Sequence, residues 1–72
     1  MPHVIVKMYA GRTEEQKAKL AQEVTRAVMS ALQCPDSWIS VGIEDVAPSD
    51  WDRKVHQPDV LGKPHSIYKQ PA

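Results

Sequence analysis

The first residues of the chain alternate between apolar and polar side chains, a period of two that is typical of a β-strand. The alternation predicts a first strand over residues 2–9. One face of this strand would carry Pro2, Val4, Val6 and Met8, and the other would carry His3, Ile5, Lys7 and Tyr9. Proline is acceptable at the first position of a strand, because its missing N–H group is not needed there.

The spacing of the next segment is that of a helix. Thr13 and Gln16 form a predicted capping box, so we expect a helix to begin after Thr13 and to continue to about residue 33. Pro35 disfavours helical geometry at the residue before it and therefore ends the helix. The apolar residues of the segment fall on one helical face, which comprises Leu20, Val24, Ala27, Val28, Ala31 and Leu32.

A second strand is predicted over residues 38–46, where apolar residues again alternate along the chain. Strand, helix and strand in this order predict a βαβ unit with parallel strands and a right-handed crossover. The helix should cover the sheet face that carries Val4, Val6, Met8, Ile39, Val41 and Ile43. The other face would stay open, and it bears Ile5, Tyr9 and Trp38. An exposed apolar face of this kind indicates a partner subunit.

The remainder of the chain is expected to form short pieces. Ser49 and Asp52 resemble a second capping box and predict a short helix through about His56. Helix breakers then follow at Pro58, Gly62, Pro64 and Pro71. We expect turns, a short strand near residues 66–69, and arm-like packing on a neighbouring subunit. The fold class is therefore predicted as α+β, with a single βαβ unit, a short C-terminal helix and a tail, completed by oligomerisation.

The length of 72 residues predicts one domain over residues 1–72. A chain this short buries only about 60% of the surface that its unfolded form exposes, and small domains usually need a further source of stability. A single cysteine excludes an internal disulfide, and the three histidines lack the spacing of zinc ligands. We therefore expect no metal and no other cofactor, and a homo-oligomer instead, with dimer and hexamer both open.

The charge balance limits the classes of partner. Nine basic and nine acidic residues do not make the basic surface that nucleic-acid binding requires. No apolar stretch is long enough to span a membrane, and the first residues do not have the pattern of a secretion signal. With one lone thiol, Cys34, the sequence predicts a cytoplasmic protein. We expect Cys34 to act as a small packing residue and not as a nucleophile.

Pro2 carries the most distinctive chemistry in the sequence. Initiator methionine is usually removed before a small residue, so the mature chain would begin with a free secondary amine at Pro2. A free α-amino group titrates near pH 7.7–8.0, and desolvation or a nearby cation lowers that pKa. A pKa close to the working pH is what a general base or acid needs. The alternative is that a proline at this position has no chemical role.

Further residues define a resemblance. They are Pro2, the run Gly11-Arg12-Thr13-Glu14-Glu15-Gln16-Lys17 that opens the helix, the acidic end Glu44-Asp45 of the second strand, and Trp51. In these features the first two thirds of the chain resemble the 4-oxalocrotonate tautomerase family. The tail resembles the longer small tautomerases, some of which are dimers. The resemblance implies a cofactor-free keto–enol tautomerase acting on a small 2-oxo or 2-hydroxy-enoic acid.

The resemblance also implies roles for individual residues. Pro2 would be the proton-transferring base and acid, Arg12 would bind the substrate carboxylate, and Trp51 would make the pocket apolar. The best-known members carry a second arginine on the second strand, and Ser40 stands at that position here. Serine offers a hydrogen bond to substrate but balances no charge, so a substrate with one carboxylate is expected in place of a dicarboxylate.

Alternative interpretations of these side chains stay open. Arg12 would otherwise be a solvated turn residue, and Trp51 would be ordinary packing. Arg53 or Lys54 could supply the missing charge, although plain surface exposure is the stronger interpretation. His3 is next to Pro2 but on the opposite strand face, so it receives no catalytic role. The remaining aromatic residues of the open face are expected to contact another subunit, and these are Tyr9 and Trp38.

Two rival functions also stay open. The first is hydration or dehalogenation of an unsaturated acid by a protonated Pro2, which requires a carboxylate to activate water. Glu44 and Asp45 are the candidates for that carboxylate if they reach the pocket. The second is a non-catalytic oligomeric module that retains the fold without the chemistry. Ser40 favours this module, whereas the intact Pro2 and Arg12 argue against it.

Overall fold

The computed structural model describes residues 1–71 and contains two strands and two main helices. Strand β1 spans His3–Tyr9, helix α1 spans Glu14–Leu32, and strand β2 spans Ser40–Val46, followed by a C-terminal π-helix, Asp52–Leu61. The strands pair in parallel, from His3 opposite Ser40 to Tyr9 opposite Val46. The predicted βαβ unit is confirmed. The prediction of one domain over residues 1–72 includes Ala72, which lies outside the described residues, and it stays a prediction.

The predicted capping box fixes the start of helix α1. The Thr13 hydroxyl accepts a hydrogen bond from the Gln16 amide at 3.1 Å, and the Gln16 side chain accepts one from the Thr13 amide at 2.9 Å. These two bonds satisfy N–H groups that have no partner inside the helix. Helix α1 ends where Gln33 adopts a left-handed conformation with φ of 55°, two residues before Pro35.

The buried face of α1 differs from the predicted one in its second half. Leu20, Val24 and Val28 are half-buried as expected, but Ala27, Ala31 and Leu32 are exposed. The half-buried face also includes Lys17, Ala21, Thr25 and Met29. The 19 residues of α1 extend about 28 Å, whereas a seven-residue strand extends about 23 Å. The helix is therefore longer than the sheet beneath it, and Leu32 in its last turn is 62% exposed.

Strand β2 begins two residues later than predicted. Residues Asp36–Trp38 form a 3₁₀ turn, in which the Trp38 amide donates to the Pro35 carbonyl at 3.1 Å and the Ile39 amide donates to the Asp36 carbonyl at 3.0 Å. These bonds engage backbone groups that a strand would use for the ladder. Trp38 consequently lies before the strand and is 51% exposed.

The C-terminal helix is longer than predicted and begins differently. Pro48–Asp50 is a 3₁₀ turn, and the π-helix that follows continues through Pro58 to Leu61. Asp52 does not cap with Ser49, because its carboxylate accepts a hydrogen bond from the Gln57 side chain. The helix ends at Gly62, whose amide donates to the Gln57 carbonyl at 2.8 Å; a β-carbon there would lie 2.7 Å from the Pro58 carbonyl oxygen.

Part of the tail covers the sheet face that was expected to stay open. Lys7 donates a 2.5 Å hydrogen bond to Asp59 of the π-helix. Tyr9 packs edge-on against Trp51, with ring centroids 5.1 Å apart. Within residues 1–71, Val55 of the same helix is the one buried residue. The expected open face is therefore corrected: the chain covers its Lys7–Tyr9 end itself, while Ile5 and Tyr9 remain 50% and 52% exposed.

The predicted strand near residues 66–69 is absent from the part of the chain that the structure describes. Pro64–Ser66 forms a 3₁₀ turn, with the Ser66 amide donating to the Lys63 carbonyl. Tyr68, two residues further on, is 98% exposed. The packing of this last segment on a neighbouring subunit stays a prediction.

The Lys7–Asp59 pair predicts that acid loosens the C-terminal helix. Its hydrogen bond lowers the pKa of Asp59 below the ordinary 3.8 and raises the pKa of Lys7. A lowered folded pKa means that the pair contributes stability in full above pH 3.8 and loses it as the pH falls through the folded pKa. We expect amide protection in residues 52–61 to fall below about pH 4 before protection in α1 falls.

Hydrogen exchange, corrected for intrinsic rates at each pH, measures this difference. Asp59→Asn should give the low-protection state of residues 52–61 already at neutral pH, whereas Asp36→Asn, at an exposed carboxylate outside the pair, should not. Equal protection of the π-helix at acidic and neutral pH would contradict the role assigned to the pair.

Candidate active site

Pro2 lies at the amino end of β1 and is held there by the neighbouring strand. Its carbonyl accepts a hydrogen bond from the Ser40 amide at 3.2 Å. The Ser40 hydroxyl in turn lies 2.6 Å from His3 Nδ1. Pro2 is half-buried, whereas Met1 is 91% exposed and free of the sheet. Two of the predicted site residues, Pro2 and Ser40, therefore lie together at one end of the sheet.

Arg12 lies beyond the opposite end of β1. The Ala10 amide continues the ladder by donating to the Val46 carbonyl at 3.0 Å, and Gly11 then turns the chain with φ of 122°. That conformation strongly favours glycine, and it places Arg12 directly before the Thr13 cap. The arginine lines a groove of about 260 Å³, whose other walls are Met8, Gln16 and Leu20.

Arg12 has no acidic partner among residues 1–71. Seven of the nine lysines and arginines form ion pairs, namely Lys7, Lys17, Lys19, Arg26, Arg53, Lys54 and Lys63. Arg12 and Lys69 are the two cations outside these pairs in the described chain. An exposed guanidinium beside an apolar groove can take a carboxylate through two parallel hydrogen bonds.

The alternative cations are engaged elsewhere. Arg53 and Lys54 both pair with Asp50, at 3.0 and 3.4 Å. Their hydrogen bonds, that of Lys54 first, lower the pKa of Asp50. Both side chains are more than half exposed, which agrees with the interpretation as a surface cluster.

Trp51 lies at the Arg12 end of the sheet. Its ring meets Tyr9 at 79° in an edge-to-face arrangement, and the residue is half-buried. Such a contact is worth about 0.5–1.5 kcal/mol beyond the area that it buries. Trp51 therefore packs inside the chain, and it does so near the last residue of β1 and not near Pro2.

The four predicted site residues thus form two separate pairs in one chain. Pro2 and Ser40 lie at the amino ends of the strands, and Arg12 and Trp51 lie past the carboxyl end of β1. The seven residues of β1 between them extend about 23 Å. No side chain bridges that distance, so one copy of the chain does not bring Pro2 and Arg12 to a common substrate. This separation follows from the predicted length of β1, because an extended strand over residues 2–9 keeps its two ends far apart.

The acidic end of β2 is also distant from Pro2. Asp45 accepts a 2.7 Å hydrogen bond from Lys17 of α1, and this bond is the main cause of the raised pKa of Lys17. Glu44 lies opposite Lys7 in the strand register, and its side chain is on the sheet face opposite to that of Asp45. Neither carboxylate shares the end of the sheet where Pro2 lies.

A separate hollow in the described chain contains none of the predicted site residues. It has a volume of about 520 Å³ and lies between α1 and the start of β2, where Thr25, Met29 and Val41 form part of its wall. Its polar wall includes Arg26, which is already paired with Glu23 at 3.0 Å. This hollow therefore adds no chemistry to the two ends of the sheet.

Comparison with known proteins decides the family. Residues 2–65 match the sequence model of the family described as tautomerase enzyme. The chain belongs to the tautomerase family. The match covers both ends of the sheet and most of the tail, and tautomerases are isomerases. The expected enzyme class is therefore confirmed.

Two relatives illustrate the similarity in sequence. A probable tautomerase of Xylella fastidiosa is 37% identical over 71 residues, which cover 99% of this chain and 87% of the relative. A 2-hydroxymuconate tautomerase of Comamonas testosteroni is 39% identical over 51 residues, covering 71% of this chain and 81% of the relative. The resemblance to 4-oxalocrotonate tautomerases is thus confirmed.

Solved structures share the fold. A heterohexameric 4-oxalocrotonate tautomerase from Chloroflexus aurantiacus aligns with a TM-score of 0.68 and 33% identity, covering 71% of this chain and 82% of that one. A structure described for trans-3-chloroacrylic acid dehalogenase activity aligns with a TM-score of 0.65 and 28% identity, covering 68% of this chain and 92% of that one.

None of the helices described in the present chain is both long and apolar enough to cross a bilayer.

The small second residue, Pro2, predicts a processed amino terminus. We expect the intact mass of the purified protein to be lower than that of the full sequence by one methionine residue. Pro2→Leu should retain Met1, because a large second residue opposes its removal, and this variant serves as the control. A wild-type mass that includes Met1 would leave the Pro2 nitrogen as an amide without basicity.

Proposed function

We propose that the protein is a cofactor-free tautomerase of small 2-oxo and 2-hydroxy-enoic acids, in which Pro2 of one copy and Arg12 of another act on the same substrate. The observation that carries the proposal is the unpaired state of Arg12 in the described chain. A guanidinium without an acidic partner beside a groove is available to bind a substrate carboxylate, and the family match provides the corresponding chemistry. This argues against a non-catalytic module.

Pro2 would move one proton between oxygen and carbon. As a neutral secondary amine it would take the proton from the enol hydroxyl and return it to the substrate carbon, which leaves a 2-oxo acid. The amine is basic only when it is uncharged, and partial burial disfavours the charged form. Pro2 is half-buried, and its carbonyl is fixed by Ser40, so the nitrogen would keep a constant position relative to the sheet.

Arg12 would bind the carboxylate and draw electron density away from the reacting carbon. Positioned charge of this kind stabilises the transition state more than the ground state. Trp51, packed on Tyr9 near the Arg12 end of the sheet, would provide apolar surface close to that carboxylate. Because β1 separates this end from Pro2 by about 23 Å, the arginine would come from a neighbouring copy.

The exposed apolar residues offer a surface for such a neighbour. Ile5 and Trp38 are each about half exposed, and Leu61 and Leu32 are both 62% exposed. Exposed apolar residues of this size commonly occur at subunit interfaces when they lie together. The similarity to a heterohexameric tautomerase supports an oligomer, and both a dimer and a hexamer would join Pro2 of one copy to Arg12 of another. A cytoplasmic setting agrees with the lone thiol of Cys34.

Substrates with one carboxylate are the favoured class. Ser40 stands where the resemblance places a second arginine, and its hydroxyl is already hydrogen-bonded to His3. The Pro2 end of the sheet therefore offers hydrogen bonds from Ser40 and His3, and Arg26, which lines the hollow at the start of β2, is already paired with Glu23. An aryl pyruvate enol, which carries one carboxylate, fits this arrangement better than a dicarboxylate.

Dehalogenation or hydration is the second candidate, supported by the similarity to the dehalogenase structure. This chemistry needs a carboxylate that activates water near a protonated Pro2. Asp45 already accepts a hydrogen bond from Lys17, and Glu44 lies opposite Lys7 in the strand register, so each carboxylate has a cationic neighbour. The arrangement therefore favours tautomerisation.

Replacing Pro2 tests the base directly. Pro2→Ala should lower kcat for ketonisation of phenylenolpyruvate by about 100-fold or more, because a primary amine differs from the proline nitrogen in pKa and in position. Ultraviolet absorbance of the enol follows the reaction, and 2-hydroxymuconate serves as the dicarboxylate for comparison. Both proteins must first be shown to lack Met1 and to share one thermal unfolding midpoint. Wild-type turnover in Pro2→Ala would remove Pro2 from the mechanism.

A mixing experiment tests the shared site. Pro2→Ala and Arg12→Ala should each be nearly inactive alone, with Arg12→Ala losing roughly 100-fold in kcat/KM. After the two are unfolded together and refolded at equal amounts, about a quarter of wild-type activity should return, because one site in four then receives both intact residues.

Lys69→Ala is the matched control for the arginine, because Lys69 is the other cation outside the ion pairs, and it should keep full activity. Absence of recovery in mixtures that are shown to contain both chains in one oligomer would mean that Pro2 and Arg12 do not serve the same substrate from different copies.

A further inference from the structure

We propose that His3, held by Ser40, is a further catalytic residue of the Pro2 site and hydrogen-bonds the substrate oxygen at which the keto–enol change takes place. This inference rests on the proposed tautomerase function. Its basis is the cluster at the amino ends of the two strands, where Pro2, His3 and Ser40 are joined by two hydrogen bonds.

The imidazole of His3 is positioned by strand β1 and by Ser40. His3 follows Pro2 directly, so the two Cα atoms lie about 3.8 Å apart. His3 and Ser40 are partners in the strand register, and their side chains meet across the sheet at 2.6 Å. An imidazole held at Nδ1 in this way has a fixed orientation. Face parity assigns the His3 side chain to the sheet face opposite the ring carbons of Pro2, whereas the proline nitrogen is also a main-chain atom at the start of the strand.

The second ring nitrogen of His3, Nε2, is available to a ligand. His3 and Ser40 are both exposed, and the hydrogen bond between them uses Nδ1. Nε2 is therefore the ring atom left for a ligand. Arg12 lies at the opposite end of β1 and Arg26 is paired with Glu23, so the His3–Ser40 pair is a side-chain hydrogen-bonding group that adjoins Pro2 in the described chain and has a ring nitrogen available.

A hydroxyl–imidazole pair can present either a donor or an acceptor to a ligand. When Ser40 donates to Nδ1, the ring presents an N–H donor at Nε2; when Nδ1 donates to Ser40, Nε2 is an acceptor. A keto–enol substrate makes the same change, since its oxygen is an acceptor as carbonyl and a donor as enol. The pair can match both forms when the imidazole changes tautomer and the Ser40 hydroxyl rotates, so that each side chain keeps one proton and the protons at Nε2 and Nδ1 exchange with solvent, whereas an arginine is a donor only.

The uncharged His3–Ser40 pair also affects which substrates the site accepts. A neutral donor at Nε2 stabilises negative charge that develops on one oxygen, and it leaves a second carboxylate without a counter-charge. His3 would therefore act on the reacting oxygen, and Ser40 would be a positioning residue that fixes the ring. The substrate class that follows is a 2-oxo acid with a single carboxylate and an uncharged remainder.

Steady-state kinetics with phenylenolpyruvate tests the assignment. We expect His3→Ala to lower kcat by about 100-fold while KM changes less than about threefold, as for loss of one oxyanion donor. Ser40→Ala should lower kcat by about tenfold, since the ring stays but loses its fixed tautomer. His3→Gln, which keeps an amide donor, should retain more activity than His3→Ala. His65→Ala, at an exposed histidine of the tail, should match wild type.

The outcomes separate this inference from the function on which it rests. If Pro2→Ala is inactive but His3→Ala keeps wild-type kcat, the role of His3 is overturned and the tautomerase proposal stands. A rise in KM alone would likewise overturn it, because such a change reports binding shared by ground and transition states. If Pro2→Ala itself keeps wild-type turnover, both proposals fail. Unfolding midpoints of the exposed-site variants should equal that of wild type, and a lowered midpoint with proportional loss of active protein would overturn the catalytic role.

Discussion

The length of strand β1 is the constraint on which the rest of the structure depends. A β-strand does not compress, so its seven residues fix the distance between Pro2 at one end and the turn with Arg12 at the other. Parallel pairing with β2 transmits the same constraint to Ser40 and to the tail that follows Val46. Chemistry that needs both ends of the sheet must therefore come from the contact of two copies.

The small hydrophobic core points in the same direction. Among residues 1–71, Val55 is the residue with the lowest exposure, at 6%, and the strands and helix α1 contain half-buried residues throughout. The Lys7–Asp59 ion pair and the Tyr9–Trp51 contact attach the π-helix to the sheet, but they leave Ile5 and Trp38 half exposed. Association with another copy would bury further apolar surface and so stabilise a chain that buries little by itself. Stability and catalysis would then depend on the same assembly.

The sequence predicted the parts of the fold that local rules determine. The capping box at Thr13, the stop before Pro35 and the parallel βαβ unit follow from side-chain periodicity and helix chemistry, and the structure contains all three. The C-terminal segment was predicted less well, because π-type spacing lets a helix pass Pro58 and because the ion pair of Lys7 with Asp59 joins residues 52 positions apart. Local patterns carry no information about a pair of that kind.

The candidate site likewise combines features that the sequence predicted with a contact that it could not predict. Pro2 and Arg12 stand out by their chemistry, and the resemblance to a family adds Trp51 and Ser40. The hydrogen bond between His3 and Ser40 could not be read from either residue alone, because it depends on the register of two strands that are far apart in the chain. A one-residue change of register would move Ser40 to the other sheet face and remove the contact.

The exposed start of the chain has a practical consequence for anyone who handles the protein. Under the proposed mechanism the working group is the terminal nitrogen itself, so an affinity tag, a leftover protease-site residue or an upstream fusion partner converts an amine into an amide. Recombinant material is therefore best extended at the carboxyl end, which leaves the terminal nitrogen free. In a tandem fusion of two copies, only the leading copy would retain a working proline.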